Sequence, residues 1–302
     1  MSSDLAGDPA VACIYGISGI GKSTDAGFAF PNALFVAAPG ALQYVRTVCG
    51  FTPKTVHMRT IPEVTDLLPD LAGHFDSVVV DDFSFMAEQT FSVLEKKFSG
   101  FRLWGELRDS ALEFRDKARH CKIHVVMTCW EQPPKTNMAG NKMRGGPMLS
   151  GRLPEQIPAM CDIVLRAMHE PARKPWPAVY RCSADPAFVM KDRFDVANIA
   201  DPAPMNLGEL LRAAGVKLSR LDDKGENLMY KLGGLGMEDL VQSISEKLSG
   251  IPEQDAEIAN AVYQELREKA PATYVRWVVR DAVDRAIIRL ARSEAESKFI
   301  LF

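Results

Sequence analysis

A glycine-rich segment near the start of the chain constrains the fold more than any other feature. An apolar run, Val11 to Tyr15, leads into the segment Gly-Ile-Ser-Gly-Ile-Gly-Lys-Ser at residues 16–23, and Thr24 follows. Every fixed position of the pattern G-x-x-x-x-G-K-[ST] is filled. The sequence therefore predicts a buried strand, a phosphate-binding loop and a helix, in that order.

The residue types in this loop suit a bound nucleotide. Glycines allow backbone N–H groups to turn toward a polyphosphate, and the next helix directs its positive end to the same place. We expect Lys22 to reach the β and γ phosphates and the Ser23 hydroxyl to ligate Mg²⁺. The predicted nucleotide-binding residues are Gly16, Ser18, Gly19, Ile20, Gly21, Lys22, Ser23 and Thr24.

A second apolar run, beginning at Ser77, ends in two carboxylates, Asp81 and Asp82. This pattern is typical of the Walker B strand that completes a phosphate-loop site, so we expect Asp81 to hold Mg²⁺ through water. Asp82 is a candidate for orienting the attacking water. Neighbouring strand residues face opposite ways, however, and Glu88 and Glu131 are alternative bases.

Two strand-like segments, 33–38 and 55–58, lie between these motifs. This number favours the ATPase division of the superfamily, in which a further strand separates the two motif strands in the sheet. A small-molecule kinase is disfavoured for the same reason. The segment Asn-Lys-Met-Arg at 141–144 lacks the acid of a guanine-reading motif, so ATP is favoured over GTP.

The strand predicted at 122–128 ends in polar residues, of which Thr128 and Gln132 are candidate sensors of the γ-phosphate. Turn-forming residues at a strand end explain them equally well.

The irregular segment 133–152 follows, with four glycines and no acid. Its basic residues are candidate contacts to single-stranded DNA, although the segment has no aromatic residue for base stacking. A solvated flap over the nucleotide is the alternative. The candidate DNA-binding residues are Lys135, Lys142, Arg144 and Arg152.

Short strands predicted at 161–168, 178–182 and 187–194 indicate an antiparallel extension of the sheet edge. Lys191 and Arg193 could reach the γ-phosphate of a neighbouring subunit, or simply lie at a solvated strand end. The expected domains are an ATPase domain over 1–196, a linker over 197–205 and a helical domain over 206–302 for oligomerisation or partner docking.

Composition restricts the kinds of partner and the cellular compartment that are consistent with the sequence. The net charge of −3 leaves nucleic-acid binding to local basic patches. The six cysteines form no C-x-x-C pair, so we interpret them as buried free thiols in a reducing compartment. No apolar run approaches membrane-spanning length, and the expected location is the cytoplasm.

The order of these motifs resembles the phage-encoded RecA-like ATP-binding proteins, including phage single-strand annealing recombinases. The resemblance covers about residues 10–196 and includes the loop, Val-Val-Val-Asp-Asp at 78–82, Gly-Arg-Leu-Pro at 151–154 and Lys-Asp-Arg-Phe at 191–194. It implies an α/β fold of RecA-like P-loop NTPase type, with a mostly parallel sheet, antiparallel edge strands and flanking helices.

The resemblance also implies residue roles. Lys22 and Ser23 would bind phosphate and Mg²⁺, Asp81 would support the metal, the 133–152 loop would face DNA, and Lys191 or Arg193 would act across a subunit interface. One departure concerns catalysis, because RecA proteins carry a catalytic Glu after the second strand and this chain has Ala37-Ala38-Pro39 there. Hydrolysis is therefore expected to be slow, or to use Asp82 or another acid.

Two functions are consistent with the sequence. The favoured one is a homo-oligomeric ATPase in the host-cell cytoplasm that acts on single-stranded DNA in recombination or replication, alongside other phage proteins. The alternative is a nucleotide-gated assembly protein that docks a partner through its C-terminal helices without DNA.

Overall fold

The computed structural model describes residues 9–30, 32–45, 53–136, 140, 142–171 and 178–218. Cys49, the helices predicted beyond residue 218 and the apolar residues at 299–302 lie outside these ranges. In the described part of the chain, no helix is long and apolar enough to cross a membrane.

Strands and helices alternate through most of the described chain. The strands are β1 (Val11–Gly16), β2 (Ala33–Ala37), β3 (Lys54–Val56), β4 (Ser77–Asp81), β5 (His124–Gln132), β6 (Lys135–Thr136), β7 (Lys142–Met143), β8 (Gly146–Pro147), β9 (Ile163–His169), β10 (Ala178–Arg181), β11 (Lys191–Asp192) and β12 (Ala203–Pro204). The helices are α1 (Lys22–Ala29), α2 (Ile61–Leu71), α3 (Phe83–Leu94), α4 (Gly100–His120), α5 (Leu153–Met160), α6 (Val196–Ile199) and α7 (Leu207–Ala213).

The main sheet has the order β12-β10-β9-β1-β5-β4-β2-β3. Strands β1, β2, β3, β4, β5 and β9 are parallel, whereas β10, β11 and β12 add antiparallel pairings on one side. Because β5 lies between β1 and β4, the two motif strands are not neighbours. The fold is that of a RecA-like P-loop NTPase, and the predicted strand insertion is confirmed.

Helices cover both faces of the sheet because its strands are apolar on both sides. Ala12 and Ile14 of β1 pack with α1 and α7, whereas Cys13 and Tyr15 pack with α2, α3, α4 and α5. This alternation follows from the period of two residues along a strand. Helix α2 shows the matching helical period, with Ile61, Val64, Leu68 and Leu71 buried on one face.

The segment 133–152 is more regular than its composition predicts. β5 continues past Thr128 to Gln132, where it pairs with β8 in antiparallel orientation, and β6 pairs with β7 as a hairpin. Further on, the strand predicted at 187–194 is reduced to Lys191–Asp192. Its other residues turn to place Phe188 and Val189 beside β8.

The end of the segment 197–205, expected to be a linker, packs against the domain. Ala203 and Met205 are buried and β12 pairs with β10, whereas residues 197–202 are partly buried or exposed. Helix α7, predicted as part of a separate helical domain, buries Leu207, Leu210 and Leu211 against α1. The packed domain therefore continues to at least residue 216, and a helical domain beyond residue 218 stays a prediction.

Four of the cysteines, Cys13, Cys129, Cys161 and Cys182, are buried free thiols, and Cys121 is a partly buried free thiol. Burial raises the pKa of Cys182, and hydrogen bonding to Cys129 and Cys161 followed by burial raises the pKa of Cys13. The thiolate is the reactive form of cysteine, and a raised pKa disfavours it. Cys13 and Cys182 are therefore unreactive core residues.

Candidate nucleotide site

The phosphate-binding loop joins β1 to α1 at the carboxyl edge of the sheet. Gly19 and Gly21 have φ angles of 78° and 107°, which favour glycine over residues with a side chain. Gly16 is required for a different reason, since a Cβ there would lie 2.5 Å from the Ala167 carbonyl oxygen of β9. The glycines thus fix both the turn and the close approach of two strands.

Lys22 begins α1 and directs its side chain back into the loop. Its side chain is only 8% exposed, and Nζ donates to the carbonyl oxygens of Gly16 at 2.9 Å and Ile17 at 3.0 Å. Burial lowers the pKa of Lys22, and the charge of Asp81 opposes that shift. In the described part of the chain this ammonium group donates to backbone carbonyl oxygens of the loop, an arrangement that suits a phosphate ligand.

Three oxygen-bearing side chains meet beside this lysine. Ser23 Oγ donates to Asp81 Oδ1 at 2.9 Å, and Thr128 Oγ1 donates to the same oxygen at 2.5 Å. Thr128 is fully buried on β5, between β1, which leads into the loop, and β4, which ends at Asp81. A hydroxyl and a carboxylate are the hard oxygen ligands that Mg²⁺ prefers, so Ser23 and Asp81 fit the role of metal ligands.

A cavity of about 460 Å³ opens over these groups. Its floor comes from the loop and from the carboxyl ends of β2, β4 and β5, and its wall comes from the segment after β2 and the first turn of α3. The lining residues are Ser18, Gly19, Gly21, Lys22, Ser23, Thr24, Val36, Ala37, Ala38, Ala41, Tyr44, Val45, His57, Met58, Asp81, Asp82, Phe85, Met86, Thr128 and Trp130.

Most predicted nucleotide-binding residues line this cavity, with two exceptions. Ile20 directs its side chain into the core, where it is 6% exposed, so only its backbone can face a ligand. Gly16 lies beneath the loop against β9. Both residues therefore support the loop from the side opposite the cavity.

The candidate bases are in different surroundings. Asp82 lines the cavity and caps α3, where Oδ1 accepts the Phe85 N–H at 2.8 Å, and burial raises the pKa of its carboxyl group. Glu131 lies at the end of β5, where Arg166 donates to both of its carboxylate oxygens at 2.8 and 3.0 Å. Glu88 is exposed on α3. Of these three, Asp82 alone lines the cavity.

The candidate sensor Gln132 also lies away from the cavity. It pairs with Gly146 of β8 in the extension of β5, one residue beyond Glu131. Thr128 does line the cavity, but its hydroxyl donates to Asp81. The structure therefore gives Thr128 a role in orienting the carboxylate, in addition to the sensor role that stays a prediction.

Lys191 and Arg193 lie far from the phosphate loop of their own chain. β11 pairs with the first residues of β9, whereas Gly16 is level with Ala167 near the opposite end of that strand. Lys191 Nζ donates to the carbonyl oxygens of Cys161, at 2.8 Å, and of Pro158. Arg193 donates to Asp162 at 2.8 Å, and Asp162 also accepts from Arg119.

The candidate DNA residues fall into two groups. Lys135, Lys142 and Arg152 are exposed, the first two on the β6–β7 hairpin. Arg144 is also exposed, but its guanidinium donates to the carbonyl oxygens of Asp185, at 2.9 Å, and of Phe188. Arg144 therefore holds the hairpin base against the 185–189 turn, a role that its sequence context does not indicate.

Several lining residues of the cavity are not predicted from the sequence, among them Tyr44, His57, Phe85 and Trp130. His57 follows β3 directly and Trp130 belongs to β5, so both occur at the carboxyl ends of predicted parallel strands. Their position could have identified both residues as site candidates, since the carboxyl ends of parallel strands meet at one edge of the sheet.

The fold and the phosphate-binding loop together define a protein with the RecA-like P-loop NTPase fold. A family model described as AAA domain matches residues 8–194, which is more than half of the chain, and the chain belongs to that family. No curated protein matches the sequence.

Two solved structures are similar to this chain at low sequence identity. The RadB recombinase is 18% identical with a TM-score of 0.38, over 61% of this chain and 86% of its own. A KaiC-like protein from the hyperthermophilic archaeon Pyrococcus horikoshii OT3 is 13% identical with a TM-score of 0.36, over 61% of this chain and 83% of its own.

Proposed function

We propose that this protein binds and hydrolyses ATP with Mg²⁺, assembles into homo-oligomers, and acts on single-stranded DNA in recombination or replication. The observation that carries the nucleotide chemistry is the meeting of Ser23 and Thr128 at Asp81, in the same cavity that Lys22 lines from the phosphate loop. We also propose that the protein is phage-encoded, because the order of its motifs resembles that of phage RecA-like proteins.

In this proposal each residue has a distinct task. Loop N–H groups and Lys22 would bind the β and γ phosphates, and Ser23 and Asp81 would hold Mg²⁺. Bound Mg²⁺ would neutralise phosphate charge and polarise the γ-phosphoryl group. Thr128 holds Asp81 in place, as outer-shell hydrogen bonds do for metal ligands.

DNA contact is proposed for two places, the β6–β7 hairpin and the groove at the start of α4. The hairpin contributes Lys135 and Lys142, both exposed. Beside Arg152, at the end of the same basic segment, α4 presents Phe101, which is 98% exposed, and Trp104, which is 42% exposed. The fold thereby supplies the aromatic residues that the segment 133–152 lacks.

These α4 residues border a groove of about 440 Å³. Arg108 and Arg152 line it, and its described lining residues include no carboxylate. Gly151 is needed at its rim, because a Cβ there would come within 2.4 Å of the Trp104 ring. Aromatic faces beside cations are the usual means of holding unpaired bases and their phosphates.

The proposal is tested by fluorescence anisotropy of labelled single-stranded DNA with the full chain, with and without Mg²⁺-ATP, across a salt series. We expect binding that depends on ATP and weakens with salt. The Lys135→Ala/Lys142→Ala pair should reduce the slope of log affinity against log salt by about 0.7 for each phosphate that the variant no longer neutralises. Phe101→Ala should weaken DNA binding by about 1–3 kcal/mol if one base stacks on the Phe101 ring.

The matched control is Lys117→Ala/Lys122→Ala, which removes the same charge near the far end of α4. This pair should bind like wild type. DNA binding that is absent under all conditions, while ATP still binds, would refute the DNA role and favour the nucleotide-gated assembly protein.

A further inference from the structure

The carboxyl end of β2 carries no acid, although ATP hydrolysis requires a group that accepts a proton from the attacking water. Ala37 and Ala38 occupy that place, and both line the nucleotide cavity. Glu131 is engaged by Arg166, and Asp82 accepts the first-turn Phe85 N–H as the cap of α3. The cavity therefore has room for a different base near Ala37.

His57 occupies the corresponding place on the next strand. Val36 of β2 pairs with Val56 of β3 on one side and with Val80 of β4 on the other. The next residues along these strands are His57, Ala37 and Asp81, so His57 and Asp81 flank Ala37. With strands about 4.8 Å apart, their Cα atoms are separated by roughly 10 Å, which leaves space for a γ-phosphate and a water between the side chains.

A contact with the backbone fixes the orientation of the imidazole ring. His57 Nδ1 lies 3.3 Å from the Ala37 carbonyl oxygen. A carbonyl oxygen can only accept, so the neutral ring carries its proton on Nδ1 and leaves Nε2 with a free lone pair. His57 also lines the same cavity as Lys22, Ser23 and Asp81.

We propose that His57 is the general base of ATP hydrolysis, with Nε2 accepting a proton from the attacking water. This inference rests on the proposed ATPase activity. As the water oxygen bonds to the γ-phosphorus, the bond from that phosphorus to the β–γ bridging oxygen breaks, and ADP leaves with the electron pair. The imidazolium then returns its proton to solvent. The other titratable groups that line the cavity are Lys22, Asp81, Asp82 and Tyr44.

Two substitutions of His57 distinguish the loss of the base from the loss of the hydrogen bond to the Ala37 carbonyl oxygen. His57→Ala removes both, whereas His57→Asn retains a side-chain N–H for the Ala37 carbonyl oxygen but has no base. Both variants should lower kcat by about 100-fold or more, because general-base catalysis contributes 10²- to 10⁴-fold. The dissociation constant for ATP should change by less than about twofold, since the base acts in the transition state.

Added imidazole should restore part of the activity of His57→Ala and leave wild type unchanged, which a purely structural role would not produce. The control is His74→Ala, an exposed histidine after α2 that does not line the cavity. It should hydrolyse ATP like wild type.

The proposed ATPase activity and the proposed role of His57 can be refuted separately. Hydrolysis at the wild-type rate in both His57 variants would overturn the role of His57 and leave the ATPase proposal intact. Wild-type protein that binds ATP but does not hydrolyse it would overturn the ATPase proposal, and the role of His57 with it.

Discussion

Thr128 Oγ1 donates a hydrogen bond to Asp81 Oδ1 over 2.5 Å, from the strand that separates the two nucleotide motifs. The same carboxylate oxygen accepts the hydroxyl of Ser23. A residue of the inserted strand thus orients the acid on which the proposed Mg²⁺ site depends. The insertion of β5 between β1 and β4 has a chemical consequence as well as a topological one.

Thr128→Val should weaken the response to Mg²⁺ while preserving the shape of the core. Valine fills the same space but leaves Asp81 Oδ1 without this donor, and loss of an outer-shell partner typically lowers metal affinity by about 10- to 100-fold. The measurement is ATP turnover against Mg²⁺ concentration. Thr136→Val, on the exposed strand β6, is the control and should follow the wild-type curve.

Tyr180→Phe should destabilise the domain where its late segments meet α1. Tyr180 Oη donates to Asp25 Oδ2 at 2.6 Å, and the same carboxylate accepts the Leu207 N–H at the start of α7. Hydrogen bonds to charged groups contribute about 1.5–3 kcal/mol, so urea unfolding should show a decrease of that size in the free energy of unfolding.

Tyr44→Phe is the matched control for this stability change, since Tyr44 is 63% exposed. Its free energy of unfolding should stay within about 0.5 kcal/mol of wild type. Equal stability of Tyr180→Phe and wild type would show that the Asp25 contact does not anchor the packed 196–216 segment.

His124 should make folding stability depend on pH. Its Nδ1 accepts the Ala10 N–H at 2.9 Å, and burial lowers the pKa of His124, a shift that the Asp76 charge opposes. Because the folded state favours the neutral ring, the contribution is fully present above the unfolded pKa of about 6.5 and is lost as pH falls toward the lowered folded pKa.

The pH effect is measured as the difference in urea midpoint between about pH 7.5 and pH 5.5, a window that spans the unfolded pKa of histidine. His124→Asn provides an acceptor that does not titrate, so this difference should shrink. His120→Asn, an exposed histidine at the end of α4, should keep the wild-type difference. An unchanged difference in His124→Asn would contradict the assignment.

The sequence predicts the features that depend on local pattern. The loop from Gly16 to Ser23, the strand ending at Asp81 and the insertion of a strand between them are all predicted, because glycine spacing and apolar runs are properties of short segments.

Features that depend on tertiary neighbours are not predicted. Arg144 and Lys191 show a charge in the sequence, but their carbonyl partners come from segments distant along the chain. The composition of 197–205 is typical of a linker, yet Pro204 can lie in β12 because that strand is at the sheet edge, where proline is tolerated. The contact between Trp104 and Gly151 likewise requires the packed fold.

The most direct test of the central claim is titration of a fluorescent ATP analogue with Mg²⁺ into wild type and Lys22→Ala. Lys117→Ala serves as the control for charge removal, and circular dichroism confirms that each variant is folded. We predict saturable binding by wild type and Lys117→Ala and no binding by folded Lys22→Ala. Equal binding by Lys22→Ala and wild type would contradict the assignment of the loop as the nucleotide site.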